Sequence, residues 1–250
     1  NCMSFANSVN GFDLLKGEGV TTRLTTSYRV SDEIAPIIEK FGKKYLDKHF
    51  VFKGIPIEDK TVKTSVYIAR TNGALISKMI ELNKSHVEYN LPREPEKMFQ
   101  LLIDILALKP GAKITGTNKF LMEDMKEYYT TNREKSLLSF IATKHKKDKA
   151  IKTAVKTIVK HTGKVIWETY NIAKAHSSSD TTFNLSLGTP HSTKGGTWDQ
   201  AILDDDLYPD WLEDQGRMTE EEVQTELNLI YISASRCRVS LLNAGWLADI

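Results

Sequence analysis

The sequence predicts an α/β fold with a mostly parallel sheet, interrupted by a mostly helical insertion. Three observations carry this. Short apolar segments rich in β-branched residues alternate with amphipathic helical stretches, the pattern of strands joined by crossover helices. Between residues 96 and 175 the alternation gives way to almost unbroken helical periodicity. Strand-like segments then return after the polar run Ser177-Ser178-Ser179-Asp180.

Residues 22–26 read as the first strand. Ser31 reads as the cap of the next helix, with Asp32 and Glu33 in its first turn, where the helix dipole favours acids. Ile34, Ile38, Phe41 and Tyr45 fall on one face of that helix. Residues 64–69 read as a second strand, followed by a helix from Asn72 or Gly73 to about Asn83. Pro92 and Pro95 break the pattern, and the helical block is interrupted near Lys109-Pro110-Gly111 and Thr162-Gly163. Later strands are expected at residues 183–189, 200–204 and 229–233, with Glu220-Glu221-Glu222 as the acidic first turn of a helix. The expected organisation is a discontinuous α/β domain of residues 1–95 and 177–250 around a helical insertion of residues 96–176.

The 250 residues suffice for one large α/β domain or one domain with an insertion. A hydrophobic share of 40% supplies a core and argues against wholesale disorder. The net charge of +2 is too small to argue for nucleic acid, so local clustering must carry that argument. Cys2 and Cys237 form neither a metal-ligand spacing nor a disulfide framework, which points to a reducing cytoplasm. No apolar run approaches the roughly 18 residues that span a bilayer. The N-terminal residues lack the pattern of a signal peptide, and the absence of Met at position 1 suggests part of a longer chain.

Three segments could carry chemistry. Thr189-Pro190-His191-Ser192-Thr193-Lys194-Gly195-Gly196-Thr197-Trp198-Asp199 lies between two predicted strands, and a loop at a strand's C-terminal end is a common ligand site. His191 and Lys194 can contact phosphates, and the paired glycines let backbone approach a nucleotide. The competing reading is a surface loop with ordinary glycine turns. Residues 226–238 run from a helix into an apolar stretch ending in Arg236 and Arg238, where arginine can stabilise charge on a transferred phosphoryl group. The alternative is a surface arginine after a core strand. In Leu24-Thr25-Thr26-Ser27-Tyr28-Arg29 the tyrosine can stack on a base and the arginine can pair with phosphate, or the tyrosine simply packs.

The order of these segments resembles the second RecA-like domain of superfamily 1 helicases of the UvrD/Rep/PcrA type. Ser27-Tyr28-Arg29-Val30 resembles motif IV, His191 to Trp198 motif V, and Tyr231 to Arg238 motif VI. Ile68-Ala69-Arg70-Thr71-Asn72 is similar to the segment between motifs IV and V, Tyr208-Pro209 to the pair after motif V, and Ser4 to Asn10 to the tail of motif III. The resemblance covers about residues 1–90 and 178–250.

It implies a RecA-like parallel sheet with helices on both faces, of the P-loop NTPase kind. Tyr28 would stack on adenine, Arg29 and Arg236 would contact the γ-phosphate as the catalytic pair, and Gly195 and Thr197 would lie near the ribose. Phe5, Arg70, Asn72, His191 and Lys194 would face single-stranded DNA. ATP would be the cofactor, with Mg2+ held mainly by a first motor domain. The implied activity is ATP-dependent translocation and unwinding at a single-strand/duplex junction, with 3′–5′ polarity, in DNA repair or replication.

The departures bear on coupling. Thr197 stands where the family has glutamate, and Ala6 where it has arginine. The chain has no G-x-x-x-x-G-K-S/T phosphate loop, so this segment alone is expected to have no ATPase activity. In the insertion, Lys149, Lys152, Lys156 and Lys160 follow helical spacing, as a basic ridge for duplex phosphates or as a solvated face. Asp204-Asp205-Asp206 lacks the ligand spacing of a metal site, and none is assigned. The rival readings are a weakened helicase-like module that binds DNA or a partner, the helicase part of a helicase–nuclease, and an RNA track.

Overall fold

The computed structural model describes residues 25–91, 94–131, 136–177, 182–209 and 218–249. The strands are β1 (Thr26–Ser31), β2 (Lys53–Ile55), β3 (Ser65–Ile68), β4 (Leu185–Gly188), β5 (Trp198–Leu203) and β6 (Cys237–Leu242). The helices are α1 (Ala35–Tyr45), α2 (Asn72–Lys84), α3 (Pro95–Leu106), α4 (Phe120–Thr131), α5 (Leu137–Lys144), α6 (Lys149–Lys160), α7 (Gly163–Ser177), α8 (Glu220–Ala234) and α9 (Trp246–Asp249). The fold is mixed α/β, with small parallel sheets flanked by helices. Two compact units divide it: one ends at Ile68 and resumes at Pro190, and the other is Ala69–Thr189. No helix among the described residues is long and apolar enough to cross a membrane.

In the first unit, β1, α1 and β2 form a parallel β-α-β element. The predicted strand at 22–26 lies further along the chain: residues 22–24 fall outside the described residues, and Thr26 opens β1. Tyr28 and Arg29 therefore sit within a strand rather than at its end. Ser31 does not cap α1. It ends β1, and its buried hydroxyl has no hydrogen-bond partner among the described residues. The helix starts at Ala35 because Pro36, lacking an N–H, suits a first helical turn. The predicted apolar face is observed: Ile34, Ile38 and Phe41 are buried, and Tyr45 packs against the same core.

β5 is flanked by β3 and β6, both parallel to it. Val66, Ile68, Ala201 and Leu203 alternate inward, and Leu227, Ile230 and Ala234 of α8 join the same core. Residues 229–233 are not the predicted strand. They are the last turns of α8, and the strand follows at Cys237. Leu229, Ile230, Ile232, Ser233 and Ala234 are all buried, so the run has no exposed face and no period that separates a buried helix from a buried strand. The start of α8 is as predicted. Thr219 accepts from the Glu222 amide at 3.2 Å, and the Glu222 carboxylate accepts from the Thr219 amide at 2.8 Å.

Among the described residues the second unit holds β4, the helices α2 to α7 and a short 3-10 turn, and the helical stretch expected from residue 96 carries α3 to α7. Thr71 caps α2 by accepting from the Ala74 amide at 3.3 Å. α6 crosses α2 at Gly73, where a Cβ would lie 2.9 Å from Thr153 Cγ2, and the Thr157 hydroxyl donates to the Gly73 carbonyl at 3.1 Å. Asp124, almost fully buried, takes Lys144 Nζ at 2.8 Å and His145 Nε2 at 2.6 Å, tying α4 to α5. This gives His145, to which the sequence assigns nothing, a structural place.

Candidate functional site

A cleft of about 740 Å³ in the first unit gathers residues from four separated stretches. β1 and the residue before it supply Thr25, Thr26, Ser27, Tyr28 and Arg29. Phe50, Val51 and Phe52 come from the approach to β2. Thr197 precedes β5, and Tyr231 and Arg238 come from α8 and β6. The cleft opens where chain runs into the N-terminal ends of β2, β5 and β6. It does not lie at a C-terminal strand end, where the sequence argument expected a ligand loop.

One wall is aromatic. Phe50 and Phe52 are nearly parallel, with centroids 6.2 Å apart, and Tyr231 meets both edge-on at 5.6 and 6.1 Å. Gly42 lets this wall sit close to α1: a Cβ there would lie 2.1 Å from the Phe50 ring. Tyr28 stands at the lip with 82% of its surface exposed, so its ring face is open to stacking. Among the described residues, the polar lining carries two cations, Arg29 and Arg238, and no carboxylate.

Arg238 is half-exposed and lies 3.6 Å from Asp199 Oδ1. The other Asp199 oxygen accepts from the amides of Lys63 at 3.0 Å and Thr64 at 2.9 Å and from the Thr64 hydroxyl at 3.1 Å. Burial pushes the Asp199 carboxyl up, but these donors and the nearby Arg238 outweigh it and hold the group below the usual carboxylate range.

The predicted site residues separate into groups. Tyr28, Arg29 and Thr197 line the cleft. Gly195 has φ +90, a left-handed conformation that favours glycine, and Gly196 packs under the Trp198 indole, 2.2 Å from where a Cβ would sit. Arg236 is not among the described lining residues. It is 9% exposed and donates to the Ile232 carbonyl at 2.8 Å, the Ser235 hydroxyl at 3.1 Å and the Gly196 carbonyl at 3.4 Å. These bonds tie the end of α8 to the loop before β5. Neighbouring Cys237 is buried, which pushes its thiol up to about 12.

His191 and Lys194 are exposed in the first unit's loop, whereas Arg70 and Asn72 flank the Thr71 cap in the second unit. Phe5 lies outside the described residues. Lys152, Lys156 and Lys160 form the exposed side of α6, with Lys149 half-buried, while Ile151, Ala154 and Val155 face inward. The Gly73–Thr153 crossing brings this ridge beside the start of α2, which carries Asn72.

Asp204 caps a short 3-10 turn by accepting from the Asp206 amide at 2.8 Å, and its other oxygen accepts from the Tyr67 hydroxyl. Asp205 accepts from Asn243 at 2.8 Å. No group of three potential metal-ligating side chains occurs among the described residues. The cleft's two arginines and aromatic wall are the chemistry that receives an anion bearing a flat aromatic moiety. Sequence reasoning did not single out Phe50, Phe52 or Asp199 for the site, and it named Arg238 only beside Arg236 at the end of the apolar run. One signal for Arg238 was strand alternation, which turns it outward once Cys237 faces the core. Comparison of the chain with protein-family models and with curated proteins returned no match.

Proposed function

We propose that the chain is the second, RecA-like motor domain of an ATP-dependent DNA helicase or translocase of the superfamily 1 type. One observation supports this above the others: Tyr28 and Arg29 of the segment matched to motif IV and Thr197 of the distant segment matched to motif V line one cleft with a second arginine, Arg238. Tyr28 stacks on the base, and the arginines stabilise charge on the terminal phosphates. A cleft that presents two arginines suits a domain that completes a site whose phosphate loop and Mg2+ ligands come from elsewhere. Closure on ATP and reopening after hydrolysis then move the two motor domains along single-stranded DNA, with His191 and Lys194 of the first unit among its contacts.

Titration of the 250-residue chain with a fluorescent ATP analogue is expected to give saturable binding that unlabelled ATP displaces, without turnover. No binding at millimolar nucleotide would sink the reading, and helicase-like turnover would overturn the proposed division of the site. Thr197, exposed in the cleft where the family has glutamate, favours a second reading, a weakened module that binds DNA or a partner. ATP-dependent unwinding by the full-length protein would exclude it.

The α6 ridge supports a duplex contact. Changing Lys152, Lys156 and Lys160 to glutamine is expected to flatten the dependence of log affinity on log salt by about 0.9 for each phosphate that the ridge neutralises in the wild type. An unchanged slope would remove the ridge from the DNA surface.

A further inference from the structure

We infer that Arg238, rather than Arg236, is the arginine of the 231–238 segment that meets the terminal phosphates of the bound nucleotide, with Asp199 as its positioning residue. This rests on the nucleotide reading of the cleft. The two arginines are two residues apart, yet their surroundings differ. Arg236 is buried at the α8–β6 junction, and its guanidinium already donates to three protein oxygens. Bringing it to a ligand would break these bonds, including the one to Gly196 that ties down the loop ending at Thr197. Arg238 stands on the open side of β6 and lines the same cleft as Arg29.

Asp199 explains how Arg238 is held ready. One carboxylate oxygen is pinned by three donors from Lys63 and Thr64, so the other keeps a fixed place. It faces Arg238 at 3.6 Å, beyond hydrogen-bond length, with Arg238 half-exposed and Asp199 largely buried. Such a tether orients the guanidinium but is weak enough for a phosphate to displace, since bidentate donation to phosphate is the stronger contact. Arg29 and Arg238 would then approach one anion from different strands.

The test compares affinities for a non-hydrolysable ATP analogue and for AMP, measured by competition against a fluorescent ATP analogue. Arg238→Ala is expected to lower the triphosphate affinity about ten- to hundredfold while changing AMP affinity by less than about twofold. Arg238→Lys, which keeps the charge but not the fork, should recover only part of the loss. Arg236→Lys is expected to lower the unfolding midpoint yet keep the wild-type triphosphate-to-AMP ratio when measured below it. Asp199→Asn should reduce that ratio less than Arg238→Ala does. An unchanged ratio in Arg238→Ala would overturn the inference and leave the nucleotide reading standing. A ratio that collapses in Arg236→Lys alone would return the role to Arg236. A wild-type chain that binds neither nucleotide would overturn the cleft's nucleotide reading and this inference with it.

Discussion

Asp199→Ala is expected to lower the unfolding free energy by about 2–3 kcal/mol, read from the urea midpoint of the full chain. The carboxylate joins the segment before β3 to the start of β5 across 135 residues of sequence, through the Lys63 and Thr64 amides and the Thr64 hydroxyl. Alanine removes the acceptor of all three donors and the counter-charge of Arg238. The cost stays well below that of a deeply buried ion because Lys63 and Thr64 are exposed and water can reach their freed amides. Asp199→Asn keeps one acceptor oxygen and should lose less. A midpoint unchanged by Asp199→Ala would show that this junction does not hold the sheet together.

The same carboxylate sets a direction for pH. Its folded value lies below the unfolded carboxylate value of about 3.9. The unfolded chain therefore binds the proton more readily. The stabilisation is fully present above the unfolded value and is lost as pH falls through the folded one. Between pH 6 and 3 the wild-type midpoint should fall more steeply than that of Asp199→Ala. Parallel slopes would mean that Asp199 is not a source of the acid sensitivity.

Tyr28→Ala is expected to leave stability within about 0.5 kcal/mol and to weaken binding of a labelled ATP analogue by about 1–3 kcal/mol, roughly five- to 150-fold. The two readouts separate because the ring is 82% exposed and absent from the core. Truncation therefore opens no cavity, whereas a stacked base would lose its platform. Tyr28→Phe keeps the π-face and should bind nearly as wild type. Equal affinity in Tyr28→Ala and wild type would sink the stacking role.

Several elements were legible because their causes are local. The helix starts at Asn72 and Glu220 were read from the chain, and the structure adds their caps, Thr71 and Thr219, each bonded to an amide three residues on. The apolar face of α1 and the basic side of α6 follow from helical period alone. Ser31 shows the limit of such signals. It has the residue type of a cap, but the backbone is still in β1, and Pro36 decides where the helix begins.

By itself, the sequence determined the α/β alternation, the helical block, the basic ridge and the motif order that suggests a nucleotide-driven motor. Only the tertiary structure decided that residues 229–233 are helix, because burial of all but Tyr231 blurs the period that would identify them. It also decided which cationic side chains face one cleft. Arg236 and Arg238 both stand in the segment matched to motif VI, and that match singles out Arg236. Their difference arises from partners brought close by folding: Gly196 accepts from Arg236, while Asp199, anchored by Lys63 and Thr64, orients Arg238 at the cleft. Tyr28 and Arg29 alone were an ambiguous pair on a strand. The aromatic wall of Phe50, Phe52 and Tyr231, gathered from distant segments, makes their neighbourhood a candidate site.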